Sequence, residues 1–292
     1  MGRQEGPLDG FLPESRTVID RKKVNGERMF RKLVPVNKEQ HKDLKIRAIE
    51  GFGYAKDFHI ASLMVHEFAR AASVYPIVFI EDKTKDEFRP VVLLGLNEGE
   101  NLFVGADGKW QASYVPAIIR RYPFALAKVN DEGQYTVCID EESETVSRDE
   151  GKPLFGEDGE PTEVIDNVKR YLGELQQMEA FTQEFCKYLA HQNLFTPLNM
   201  RVRQDNQVKN ITGCYVINEE RLNSLSDNAI LDVRTRRYLA PIYAHLTSLA
   251  QIERLSLLKD GVTGLTREGA EATVPASPEG EKESTAEAEN IH

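Results

Sequence analysis

The chain has 292 residues, 40% of them apolar and 29% charged, with a net charge of −10. That balance describes a protein able to bury a sizeable core. It argues against a nucleic-acid partner, because a polyanion needs a strong local basic patch and no basic arm is present. No window approaches 18 consecutive apolar residues, so no integral membrane segment is expected. The N-terminus, MGRQEGPLDGFLPESRTVIDRKK, lacks the apolar centre of a secretory signal.

In chain order, residues 1–28 are polar, rich in Gly, Pro and charge, and read as a flexible arm. KLVPV (32–36) is a candidate strand, and a helix is expected over about 58–72. YPIVFI (75–80) and RPVVLLGL (89–96) are β-branched runs that predict strands, as do NLFV (101–104) and QYTVCID (134–140). Asp107-Gly108 between NLFV and KWQASYV is a hairpin signal. Pro116 and Pro123 bracket a short helix.

From Thr162, flanked by Pro161 and Glu163, the pattern turns helical. Val164, Val168, Tyr171, Leu175, Met178, Phe181, Phe185 and Tyr188 recur at spacings of three and four, predicting an amphipathic helix to about 191 with Gly173 as a candidate bend. MRVRQDNQVKNITGCYVI (200–217) reads as a hairpin, followed by a short helix at 218–225 and a last helix from 234 to 258. Residues 259–292 form an expected disordered acidic tail. Positions 261–292 hold seven Glu against Arg267 and Lys282, a balance of −5. The fold expected is α+β: an antiparallel sheet or half-barrel in the N-terminal half with packed helices, and a helical C-terminal half, as one domain over 29–258.

HEFAR (66–70) begins like the zinc-protease signature but places Arg70 where the second ligand belongs. Arginine stays protonated and is repelled by zinc. His59 stands two turns away, about 10 Å of rise, too far to share one ion. The expectation is ordinary helix surface, with Glu67 and Arg70 as i,i+3 neighbours and Ala61, Val65, Phe68 and Ala72 as the buried stripe. Asp140, Glu141 and Glu142 read as a solvated turn, Cys138 as inert packing and His245 as a packed histidine. DGEP (158–161) and GADG (105–108) are turns rather than calcium loops. Cys138, Cys186 and Cys214 form no C-x-x-C pair and are expected as reduced thiols. No nucleophile elbow, phosphate loop or dinucleotide fingerprint occurs, so no cofactor, metal or catalytic residue is expected.

The segment 99–124 holds the chain's one Trp with two Tyr, two Phe and a tandem arginine. Trp110, Tyr114, Arg120, Arg121 and Tyr122 are the candidate ligand-binding residues. An arginine pair beside aromatics grips a carboxylate, a phosphate or a partner's acidic tail. The competing reading makes the aromatics core and the arginines local caps.

VPVNKEQHKDLKI, HEFARAASVYPIVFI, LLGLNEGENLFVGADGKWQASYVPAIIRRYPFAL, TVCIDEES, GKPLFGEDGEPT and IYAHLTSLAQIERL together resemble the SapC family of bacterial proteins over about residues 30–258. The resemblance implies a link to a paracrystalline surface layer, and brings no catalytic residues. The unrelated peptide permease of the same name is excluded by the missing membrane span. Two readings follow. One is a non-catalytic interaction protein associated with a surface layer. The other is a cytoplasmic accessory protein that binds a small anionic molecule or a peptide beside a modifying enzyme, such as a flavin-dependent halogenase-like protein. The missing signal points to the cytoplasm, although export by a C-terminal address would carry the chain to the cell surface.

Overall fold

The computed structural model describes residues 29–82, 85–130, 133–198, 200–204, 207–211 and 213–260. The arm at 1–28 and the tail beyond residue 260 lie outside them. The first half runs β1 (Leu33–Pro35), α1 (Lys38–His41), β2 (Lys45–Ile46), β3 (Ile60–Ser62), α2 (Phe68–Ala71), β4 (Ile77–Asp82) and β5 (Glu87–Leu93). Next come α3 (Ala117–Arg120), β6 (Phe124–Lys128), β7 (Tyr135–Asp140), β8 (Val146–Ser147) and β9 (Lys152–Pro153). The second half holds α4 (Glu163–His191), β10 (Phe195–Pro197), β11 (Met200–Gln204), β12 (Gln207–Ile211) and β13 (Tyr215–Ile217). It ends with α5 (Glu219–Asn223), α6 (Asp227–Thr235), α7 (Leu239–Ser248) and α8 (Gln251–Lys259).

Among the described residues all strand pairs are antiparallel, in an α+β arrangement without a closed barrel. The largest sheet has the order β10-β13-β4-β5-β3, beside three-stranded sheets β1-β7-β6 and β8-β2-β9 and the β11–β12 hairpin. β4 and β5 are apolar on both faces at their centre because both sides are covered: Ile77, Val78, Phe79, Val91 and Val92 are all buried. Phe68, Tyr75, Phe185 and Leu189 pack against them in one core. A second core surrounds Phe124, Ile139 and Leu154.

α4 joins the two cores. The Thr162 hydroxyl caps it by accepting the Val164 N–H at 3.3 Å, and its 29 residues run unbroken through Gly173. Ile165, Leu172 and Leu175 on its first half enter the core around Phe124, while Phe185, Cys186 and Leu189 enter the core around the large sheet. At about 100° per residue these positions fall within one broad face of the helix.

Three local readings are corrected. Residues 58–72 are not one helix: β3 pairs with β5, a 3-10 turn follows at Val65–Glu67, and α2 is a single turn. A helical period fitted the apolar residues, but the open flank of β5 selected a strand for the first part. NLFV contributes only the isolated bridge Val104↔Trp110, across the expected turn in which Gly108 takes φ +76°. The helix expected over 234–258 is broken: its first two residues end α6, and α7 and α8 follow as separate helices. Arg237 at φ +63° separates α6 from α7, and a break at Leu249–Ala250 precedes α8.

α7 also completes the large sheet. β13 and β4 pair at Tyr215↔Phe79, and one step along, His245 inserts its ring between the strands. Its Nε2 accepts the Ile217 N–H at 3.0 Å and its Nδ1 donates to Ile77 O at 2.9 Å. The Ser248 hydroxyl accepts the Ile77 N–H at 3.0 Å and donates to His245 O at 2.6 Å. His245 is fully buried and packed, as its place in an apolar helical run suggested. Burial pushes the Cys138 and Cys186 thiols up to about 11 and about 12, and raises half-buried Cys214 as well.

Candidate functional site

The residues expected to form a site do gather, around the short helix α3. Four residues cannot satisfy their own helix ends, so outside groups must. The Tyr171 hydroxyl donates to Ala117 O at 3.3 Å and the Tyr54 hydroxyl to Ile119 O at 3.0 Å. The Ala117 N–H donates to Glu67 Oε1 at 2.8 Å.

Glu67 is the hub and corrects the surface reading of HEFAR. It is 5% exposed and accepts three donors: the Ala117 N–H, the Tyr114 hydroxyl at 2.5 Å and the Met64 N–H on its other oxygen at 3.0 Å. A buried carboxylate is tolerable only when so satisfied. α4 steadies this turn, because Thr182 Oγ1 accepts the Val65 N–H at 3.0 Å. His66 turns outward onto Phe181, with ring centroids 5.1 Å apart.

The aromatic candidates face inward. Trp110 Nε1 donates to the Tyr75 hydroxyl at 2.7 Å and to Tyr114 O at 3.0 Å, and Tyr75 in turn donates to Tyr114 O. Tyr122 is buried, stacks on Tyr54 at 4.1 Å and donates to Asp140 Oδ2 at 3.3 Å. Desolvation pushes the Tyr54, Tyr75, Tyr114 and Tyr122 phenols upward, and Glu67 adds to the rise at Tyr114. These rings are neutral hydrogen-bonding struts.

Asp140 corrects the solvated-turn reading. It is fully buried, accepts the Arg31 and Lys32 N–H groups at 2.9 and 2.8 Å, and so fixes the strand entering β1. Its neighbour Glu141 accepts from His41 Nε2 at 3.1 Å and pairs with Lys32 at 2.7 Å. Hydrogen bonding to Lys32 leads the effects that hold the Glu141 carboxyl below its ordinary range.

The arginines form the outer side. Arg120 is exposed, donates Nε–H to Val115 O at 3.0 Å and sits 5.7 Å from the Tyr114 ring centre. Arg70, also exposed, lies 4.9 Å from the same ring centre. Two guanidinium groups thus share one aromatic ring whose hydroxyl is tied to a buried carboxylate. Arg121 is half-buried and lies 5.6 Å from the Phe30 ring. Burial pushes its guanidinium down to about 10, with Glu179 on α4 acting the other way.

Arg70, Glu67, Tyr54 and Tyr171 join the five expected residues. Glu67 had a signal: a carboxylate between Val65 and Phe68 in an otherwise apolar run. Tyr54 and Tyr171 had none, since only the fold brings them to α3.

The SapC family model matches residues 36–255, and the chain belongs to the SapC family. No curated protein and no solved structure matches it. Among the described residues, no helix is long and apolar enough to cross a membrane.

Proposed function

We propose that this chain is a non-catalytic interaction protein and that Arg70, Arg120 and Arg121 present the surface that grips carboxylates of a protein partner. The single observation that carries the reading is the pair of exposed guanidinium groups on the Tyr114 ring. Planar cations held beside a rigid aromatic are suited to bidentate carboxylate recognition, and little side-chain entropy remains to be lost on binding. Trp110, Tyr114 and Tyr122 serve as the platform beneath them. A surface-layer component is the partner that the family resemblance implies.

The test separates binding from folding. Arg70→Ala with Arg120→Ala should weaken capture of the partner from source-cell lysate at least tenfold, while the melting temperature stays within about 2 °C, as for exposed substitutions. Arg121→Ala should lower stability by about 1 kcal/mol, because its stem is packed. Undiminished capture by the double variant would overturn the reading.

A further inference from the structure

The apolar stripe of α4 leaves one ring partly uncovered near the arginine pair. Phe181 belongs to that stripe by its spacing, yet it is 37% exposed. Its ring makes a T-shaped contact with buried Tyr238, centroids 5.8 Å apart, and meets the exposed His66 ring at 5.1 Å. The bond from the Val65 N–H to Thr182 Oγ1 holds this pair in place, since His66 follows Val65 and Phe181 precedes Thr182. His66 in turn leads to Arg70. Val65–Glu67 and Phe68–Ala71 are consecutive helical turns, so positions 66 and 70 are one turn apart and exposed, while Glu67 and Phe68 between them are buried. Ala69, also exposed, adds only a methyl group between the ring and the guanidinium.

We infer that His66 and Phe181 form an apolar anchor site beside Arg70, and that the partner segment gripped by Arg70 and Arg120 carries a large apolar side chain next to its carboxylates. The inference rests on the reading above and gives the partner a chemistry. Among the described residues neither Arg70 nor Arg120 makes an ion pair, so their charge is left for an outside anion. Glu184, one turn beyond Phe181 on α4, is paired with Lys187 at 3.7 Å. An exposed aromatic beside guanidinium groups is the composition that carries binding energy at protein interfaces. Phe181 and His66 already steady one another, so covering them costs little side-chain freedom. A purely anionic ligand leaves the Phe181 ring wet; a segment with an apolar side chain beside its acids covers it. Salt should weaken the arginine contacts without removing the preference for the apolar side chain.

The experiment uses the full chain and two labelled peptides, read by fluorescence anisotropy at low salt. One peptide is a run of glutamates with a central phenylalanine; the other has alanine at that position. Wild type should bind the phenylalanine peptide roughly fivefold or more tightly than the alanine peptide. His66→Ala and Phe181→Ala should each bring that preference below about twofold, and R70A with R120A should lose both peptides. His66→Ala removes an exposed ring and the wild-type comparison needs no variant, so the test stands even if Phe181→Ala lowers the melting temperature. Equal binding of the two peptides by wild type, with loss of both on removing the arginines, would overturn the anchor and leave the arginine face standing. A preference undiminished in both single variants would overturn the anchor as well. Binding unaffected by the arginine substitutions, or no binding of either peptide by wild type, would overturn the arginine reading and the anchor with it.

Discussion

Burial holds the His245 imidazole down at about 4, well below its ordinary 6.5, because a proton on Nε2 would face the Ile217 N–H. The unfolded chain takes up that proton first as pH falls. His245 therefore contributes stability that is fully present above about 6.5 and is lost as pH drops towards about 4. The loss over that window is about 3 kcal/mol for this one group. Urea midpoints from pH 7 to 4, followed by fluorescence of Trp110, should fall more steeply for wild type than for His245→Gln. The carboxamide of Gln can donate to Ile77 O and accept from Ile217 N–H without titrating, so parallel profiles would sink the argument. At this scale the sequence was legible where residue type decides: a histidine in a helical apolar run packs. It was not legible at Glu67 or Asp140. Glu67 matched an exposed helix face and Asp140 a solvated turn, and only the arriving N–H and hydroxyl donors make their burial tolerable.

α4 was readable almost to the residue, since a capping threonine and a long 3.6-residue period leave one solution. The segment 58–72 was not, because its apolar positions fit a helix or a strand and the free flank of β5 decided between them. β6 went unseen for a related reason: FALAK is made largely of helix-forming residues, and pairing with β7 imposes the strand. The expected single helix at 234–258 fails at Arg237, which at φ +63° carries the cost of a left-handed side-chain residue. Glycine removes that cost but loses more chain entropy on folding. Arg237→Gly should therefore raise stability by about 0.5 kcal/mol, visible as a higher urea midpoint. A lower midpoint would show that the exposed arginine does more than turn the chain.

For the whole molecule, the α+β class followed from the change of pattern near residue 160, from dense turn punctuation to long helical periods. The order β10-β13-β4-β5-β3 did not, because it brings strands from both halves into one sheet and no local period encodes that pairing. Location is a property at this scale too. If the partner belongs to a surface layer, an impermeant protease should cleave the protein on intact source cells, with lysed cells as the positive control. Protection on intact cells, with recovery in the soluble fraction, would remove the surface-layer partner and direct the search to acidic proteins inside the cell. Whatever the outcome, the three cysteines bear on it. Sulfur chemistry proceeds through the thiolate, and thiols held near 11 and 12 expose about one part in ten thousand or less of that form at neutral pH. Cys138 and Cys186 are therefore slow to react in a reducing cytosol and in an oxidising exterior alike.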